Sequence, residues 1–176
     1  MKKNTFIILL SFLLTSCSSY PPILTEKNID LKQFMGNWYV IANIPTFIEK
    51  GAHNAIESYE LNEDGTIATT FSFNQDSFNG EKKTYHPKGF VVDKNSNAIW
   101  EMQFIWPFKS DFRILYVSDD YSQTIIGRIK RDYVWIMART HQIKEADYKS
   151  MLNIIKNQGY DISKIQVVPH KMSQAE

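Results

Sequence analysis

The side chains that most often carry out catalysis or bind metals are few and dispersed in this chain. Its four histidines show no metal-ligand spacing such as H-x-x-x-H; they are His53, His86, His141 and His170. The sequence has no G-x-S-x-G nucleophile motif and no Gly-rich phosphate loop, and Glu101 and Asp111 have no evident carboxylate partner. We therefore expect neither an enzyme nor a bound cofactor or metal, and keep a periplasmic lipid hydrolase as a minor alternative.

Cys17 is the only cysteine, and it follows a short apolar segment. Lys2 and Lys3 precede the apolar run 6–14, a charge and hydropathy pattern typical of a secretory signal. The run is too short for a transmembrane helix, which needs about 20 residues. Its end, Leu-Leu-Thr-Ser-Cys, resembles the lipobox of bacterial lipoproteins. We predict a lipoprotein signal peptide over residues 1–16 and acylation of Cys17; the alternative is a plain signal peptide followed by an incidental cysteine.

Composition indicates one globular domain. The chain has 176 residues, 43% of them apolar, which is enough for a sizeable core. Its formal net charge is +1, and removal of Lys2 and Lys3 with the signal leaves it near −1. With no basic block, a nucleic-acid-binding surface is not indicated. With one cysteine, already assigned to lipid, stability has to come from packing rather than from a disulfide.

Trp38 and Arg139 are the pair most suited to a specific contact. Gly36-Asn37-Trp38-Tyr39 opens one strand, and Arg139 ends another a hundred residues later. A guanidinium lying flat on an indole is stabilised by roughly 0.5–2 kcal/mol, so this contact is suited to plug one end of a closed barrel. Strand alternation then predicts that Trp38, Val40, Ala42 and Ile44 share one face and that Asn43 lies on the other.

The rest of the chain consists of hairpins followed by one helix. Strand signals alternate with turn signals such as Asn62-Glu63-Asp64-Gly65 and Lys109-Ser110-Asp111. Eight strands in meander order are predicted, at 36–44, 54–61, 66–73, 83–92, 99–106, 112–116, 123–129 and 133–139. Tyr148, Met151, Leu152 and Ile155 form an apolar helical stripe that Gly159 terminates. The pattern predicts an all-β, up-and-down antiparallel barrel with one C-terminal helix packed outside.

Several ordered motifs together resemble the lipocalin family. Gly36-Asn37-Trp38-Tyr39, Asp119-Asp120-Tyr121 and Arg139 are similar to its three signature regions. Four further stretches resemble the bacterial outer-membrane lipocalins and their apolipoprotein D-like relatives, namely residues 44–51, 63–67, 104–108 and 135–140. The resemblance implies a calyx, with the loop 44–51 over its open mouth; composition alone also allows a surface loop with two buried anchors. Gly36, Trp38, Tyr39 and Arg139 are then the structural signature.

The resemblance also implies a fatty acid or (lyso)phospholipid inside the barrel. Alternation offers a long, aromatic inward set of candidate ligand-binding residues: Phe71, Phe73, Trp100, Met102, Phe104, Trp106, Phe112, Ile114, Tyr116, Trp135 and Met137. Two interpretations remain open, since such side chains either line a cavity or simply fill the core. Asn43 stands where relatives often carry arginine. Arg113 is predicted on the outer face, or facing a head group if a bulge reverses the alternation.

The same resemblance implies a place in the cell envelope. Ser18 after the acylated Cys17 favours the outer membrane, with the domain facing the periplasm. The predicted organisation is a lipidated tether over 17–29, the lipocalin domain over 30–170 and a frayed tail over 171–176. The function expected is lipid storage, transport or maintenance of the envelope. The alternative is a scaffold that presents barrel loops to a protein partner, and whether two copies pair stays open.

Overall fold

The computed structural model describes residues 22–171. The predicted signal peptide, Cys17 and residues 172–176 of the predicted tail lie outside this part of the chain. Within it, the elements follow the predicted order of strands and then a helix. They are α1 (Leu31–Phe34), β1 (Gly36–Ile44), β2 (Ala52–Leu61), β3 (Thr66–Gln75), β4 (Lys82–Tyr85), β5 (Lys88–Val91), β6 (Ile99–Ile105), β7 (Phe108–Val117), β8 (Gln123–Gly127), β9 (Val134–Ala138), α2 (Glu145–Asn157) and β10 (Gln166–Val167).

The strands form a closed, eight-stranded antiparallel barrel with two short extra strands. Neighbours in sequence pair along the sheet, and β1 closes the barrel by pairing with β9 from Tyr39↔Ala138 to Ile44↔Val134. The single strand predicted over 83–92 is interrupted at Pro87, so β4 and β5 pair separately with β3. β10 adds to β1 through Ala42↔Val167. The predicted fold class is confirmed.

Of the four register shifts between strands, those in β1 and β7 turn predicted side chains to the other face. In β1 the register with β9 shifts between Val40 and Ala42, and in β7 the register with β8 shifts between Ile114 and Tyr116. An extra residue in a strand reverses the alternation beyond it. The common face predicted for Trp38, Val40, Ala42 and Ile44 is therefore wrong after the bulge.

Helix α2 covers one outer face of the barrel. Met151 and Ile155 are buried against Ala42, Ile44 and other outward side chains, as the apolar stripe predicts. Acidic residues occupy its first turn, which suits the positive end of a helix dipole. Gly159, just past its end, has φ +87°, a conformation that side chains other than glycine rarely adopt. Among residues 22–171, no helix combines the length and the apolar character that crossing a membrane requires.

The segment before α1 belongs to the folded domain. Ile23 and Ile29 are buried, and the Glu26 amide donates to the Ile114 carbonyl oxygen at 3.0 Å. The Leu24 amide donates to the Gln158 side chain at 3.0 Å, beyond the C-terminal end of α2. Residues 22–29 of the predicted lipidated tether therefore pack on the barrel, because paired backbone and buried isoleucines hold them there.

Candidate functional site

The closed end of the barrel is sealed by Arg139 lying over Trp38. The guanidinium carbon is 3.7 Å from the indole centroid, so the predicted contact is present. The indole Nε1 donates to the Phe34 carbonyl oxygen at 2.9 Å, which ties α1 across the opening. Gly36 sits close by with φ +95°, and a Cβ there would be 3.4 Å from the Arg139 Nη1. Glycine thus provides both the backbone conformation and room for the guanidinium.

Arg139 also donates hydrogen bonds to backbone carbonyls around the closed end. Its guanidinium donates to the carbonyl oxygens of Gln33 (2.7 Å), Phe34 (3.1 Å), Met35 (2.8 Å), Asn37 (2.8 Å) and Tyr121 (3.3 Å). A planar group with five donors suits this arrangement, whereas a lysine ammonium does not. Tyr39 does not join this seal; it points outward, and its ring meets those of His141 and His170.

Toward the open end, the barrel encloses a cavity of about 420 Å³. Apolar and aromatic side chains dominate its wall, while a few polar ones stand at particular points. The lining residues are Thr46, Phe47, Ile48, Glu49, Glu57, Phe71, Tyr85, His86, Pro87, Met102, Phe104, Ile105, Ser110, Asp111, Phe112, Arg128, Tyr133 and Trp135. A concave, mostly apolar site with few polar groups is the usual form of a small-molecule site.

Five predicted inward residues border this cavity: Phe71, Met102, Phe104, Phe112 and Trp135. Four others fill the core without lining it; they are Phe73, Trp100, Ile114 and Met137, none more than 1% exposed. The Trp100 and Phe112 rings stack at 5.0 Å between centroids, which forms a packed layer beneath the cavity. Some residues of the predicted inward face therefore line the cavity and others fill the core, so each of the two interpretations holds for part of the set.

Two predicted positions are wrong. Tyr116 packs outside the barrel with the cluster under α2, because the bulge after Ile114 reverses the alternation. Trp106 is 81% exposed, since β6 ends at Ile105 and Trp106-Pro107 makes the turn to β7. That turn comes earlier than the predicted Lys109-Ser110-Asp111, which lies within β7.

The bulge in β1 also decides the place of Asn43. It pairs with Trp135, whose side chain lines the cavity, and is only 4% exposed, so it lies on the interior face rather than the predicted outer one. Arg113 keeps the predicted outer face. Its Nε donates to both carboxylate oxygens of Asp111 at 2.9 and 3.0 Å, and no bulge turns it toward a ligand.

The loop between β1 and β2 lies over the mouth, as the resemblance implies, and a carboxylate fastens it. Glu49 is 5% exposed. Its Oε1 accepts from the Trp135 indole Nε1 at 2.7 Å, and its Oε2 accepts from the Thr46 amide at 2.9 Å. Phe47 and Ile48, carried by this fastened loop, form part of the cavity wall.

Sequence reasoning missed three charged side chains of the interior: Glu49, Glu57 and Arg128. The Arg128 Nε is buried without a hydrogen-bond partner, while its Nη1 lies 3.4 Å from an Asp132 carboxylate oxygen. Burial raises the pKa of the Glu57 carboxyl to about 8; the adjacent Tyr59 hydroxyl opposes this rise, and the charge of Glu49 adds to it. The inward alternation of β2 could have placed Glu57, but a glutamate there resembles any surface charge.

The described residues offer no metal site: no three histidine, cysteine, aspartate or glutamate side chains converge within 22–171. Closed barrel, Trp–Arg seal and apolar cavity together identify the fold, and sequence comparison decides the family. The lipocalin-like domain profile matches residues 29–170. The chain belongs to the lipocalin family.

Relatives with known names match this chain over most of its length. This lipocalin is 32% identical to temperature-induced lipocalin-1 of Arabidopsis thaliana, covering 85% of this chain and 84% of the relative. It is 27% identical to the outer membrane lipoprotein Blc of Escherichia coli K12, covering 88% of each. Apolipoprotein D of Macaca fascicularis is 29% identical, over 89% of this chain and 83% of that one. None of these names designates an enzyme.

Solved structures support the fold alone. Insecticyanin of the tobacco hornworm Manduca sexta superposes with a TM-score of 0.68 at 18% identity, over 88% of this chain and 87% of that one. Lobster apocrustacyanin A1 gives a TM-score of 0.63 at 11% identity, over 85% and 92%.

Proposed function

We propose that this lipocalin holds a fatty acid or a (lyso)phospholipid non-covalently in its barrel cavity and serves lipid storage, transport or maintenance in the cell envelope. The observation that carries the proposal is the cavity of about 420 Å³ above a filled core. Phe71, Met102, Phe112 and Trp135 line it without closing it. Aromatic and thioether walls offer dispersion contacts to a flexible acyl chain without demanding a single shape.

We further propose that acylated Cys17 anchors the protein to the outer membrane, facing the periplasm. The relative Blc is named an outer membrane lipoprotein, which supports this address. The described chain starts beside Gln158, at the same end of the barrel as the mouth. Four residues separate Cys17 from Pro22, and an extended chain spans at most about 3.6 Å per residue. An anchored Cys17 therefore keeps Pro22, which begins the described chain at this end of the barrel, within roughly 20 Å of the bilayer.

Exposed apolar side chains at the mouth are consistent with this orientation. Phe47, Ile105, Trp106 and Phe108 are each more than 70% exposed. They come from the β1–β2 loop and from the tip of the β6–β7 hairpin, which both border the cavity. A lipid leaving a bilayer would meet apolar surface before reaching the cavity.

Lipid binding is tested by fluorescence titration with fatty acids and lysophospholipids of graded chain length. Each methylene buried contributes about 0.8 kcal/mol, so affinity should rise with length until the cavity is full and then level off. Met102→Lys should reduce affinity at least tenfold, because it places an unpaired charge against the cavity. Glu101→Lys, one residue away on the outer face, is the matched control and should bind as the wild type does.

Absence of saturable binding, or equal losses in both variants, would contradict the proposal. Either result would favour the alternative in which the barrel is a scaffold for a protein partner.

A further inference from the structure

The inner end of the cavity carries a carboxyl group that the protein itself does not satisfy. Glu57 lines the cavity from β2, where it pairs with Trp38 of β1 on one side and Phe71 of β3 on the other. The pairing with Trp38 places Glu57 near the Arg139 seal, and the charge of Glu49 on the mouth loop still acts on it. A ligand that fills the cavity along the barrel axis ends against this residue.

Neither a salt bridge nor a hydrogen bond of standard geometry engages the Glu57 carboxyl among the protein groups of residues 22–171. Its polar neighbour is Tyr59, which is 2% exposed and whose hydroxyl is also without a hydrogen-bond partner. The two groups are near enough for the hydroxyl to favour the carboxylate, yet they are not aligned as donor and acceptor. A buried hydroxyl left without a partner, such as that of Tyr59, is rare, and it often marks the place of a polar partner from outside the chain.

The surroundings favour a neutral partner over a charged one. Phe71, the β3 partner of Glu57, is an apolar neighbour on the cavity wall, and the charge of Glu49 opposes a second negative charge nearby. Burial raises the pKa of the Glu57 carboxyl to about 8, which favours the protonated form, and that form can donate as well as accept a hydrogen bond. An ammonium–carboxylate pair here would have to lose the hydration of both ions, whereas a neutral hydrogen bond does not.

We propose that Glu57 forms a polar subsite at the inner end of the cavity, which takes the hydroxyl or un-ionised carboxyl of a single-chain amphiphile that enters head first. The proposal rests on the proposed lipid-binding function and specifies the orientation of the ligand. A chain bound with its methyl end inward would instead place hydrocarbon against an unsatisfied carboxyl. The subsite thus selects ligands with a small polar head over those with a bulky one.

Titrations followed by tryptophan emission test this with decan-1-ol and 1-chlorodecane, which match in heavy atoms but not in hydrogen bonding. The wild type should prefer the alcohol by about two- to tenfold, the equivalent of one net hydrogen bond. Glu57→Gln, which keeps donors and acceptors, should retain most of this preference. Glu57→Leu should lose it while still binding both compounds. Glu101→Leu, on the outer face, is the matched control and should retain it in full.

A second readout does not depend on the leucine variant folding. The infrared C=O band of the protonated Glu57 carboxyl is identified by its loss in Glu57→Gln. We expect decan-1-ol to shift this band to lower frequency and 1-chlorodecane to leave it in place. An unchanged band, or an alcohol preference that survives in Glu57→Leu, would overturn the subsite while leaving lipid binding intact.

Two other results are informative. Strong binding of decylamine by the wild type, lost in both Gln and Leu variants, would replace the neutral subsite by a cation site and so overturn the proposal. Failure of the wild type to bind any of the compounds would overturn the proposed function together with the subsite.

Discussion

Replacing Arg139 and Trp38 singly and together tests whether the closed end is one energetic unit. Trp38→Ala removes a fully buried indole and its bond to the Phe34 carbonyl, so we expect it to lower the free energy of unfolding by about 3–5 kcal/mol. Arg139→Ala removes the cation over that indole and leaves carbonyls at the barrel end without their donor. We expect a loss of about 3–5 kcal/mol from it as well.

The interaction of the two residues follows from their separation. With the guanidinium 3.7 Å from the ring centroid and partly shielded from water, the cation–π contact should contribute about 1–2 kcal/mol. The double variant should therefore be less destabilised than the sum of the single variants by about that amount. Urea unfolding followed by circular dichroism, on protein lacking the signal peptide, measures the stability of the wild type, the two single variants and the double variant.

Two further variants test the role of the guanidinium shape and provide a control at a second arginine. Arg139→Lys keeps the cation but not the planar fork, so it should recover only part of the loss. Arg113→Ala removes an arginine that pairs with Asp111 away from the closed end, and should leave the coupling between Trp38 and Arg139 unchanged. Additivity of the two closed-end variants within about 0.5 kcal/mol would refute the reasoning, because residues in contact should couple.

Two predictions concern the buried carboxyl and the anchor. Because the folded-state pKa of Glu57 is raised to about 8 from 4.5, the native state binds more protons in this interval, and stability should fall as pH rises from about 5 to 8. The fall, of order 3–5 kcal/mol at most, should be absent from Glu57→Gln in urea unfolding at pH 5.5, 7 and 8.5; parallel curves for the two proteins would contradict it. Cys17→Ser should leave a larger precursor without acyl label in cell fractions, and equal labelling of wild type and variant would exclude acylation at this residue.

The sequence allows prediction of features that depend on local pattern and on pairs of unusual residues. Strand alternation and turn signals predict the barrel. The Trp38–Arg139 contact is predicted because a guanidinium suits an indole face and because both residues resemble the lipocalin signature positions. Bulges are different, since one extra residue leaves no mark in composition. The bulge in β1 turns Asn43 inward, and that in β7 turns Tyr116 outward, so alternation fails beyond each of them.

The charged residues of the interior were missed for another reason. Glutamate is nearly always solvated, so a sequence assigns Glu49 and Glu57 to the surface. Only the fold shows that the β1–β2 loop folds back far enough for Glu49 to bond the Trp135 indole, 86 residues away in sequence. Long-range contacts of this kind depend on how loops close, which local pattern does not encode.

One half of the barrel is packed and the other holds the cavity, so substitutions in the two halves should affect folding and ligand binding differently. Trp38, Trp100 and Met137 lie wholly in the packed half, so changes there act on folding first. Phe104 and Tyr133 line the cavity outside the buried core, so changes there act on the ligand first. Phe112 belongs to both sets, since it stacks on Trp100 and also lines the cavity. Because the same ring supports the core and meets the ligand, occupancy of the cavity should be coupled to the stability of the packed half most directly through this residue.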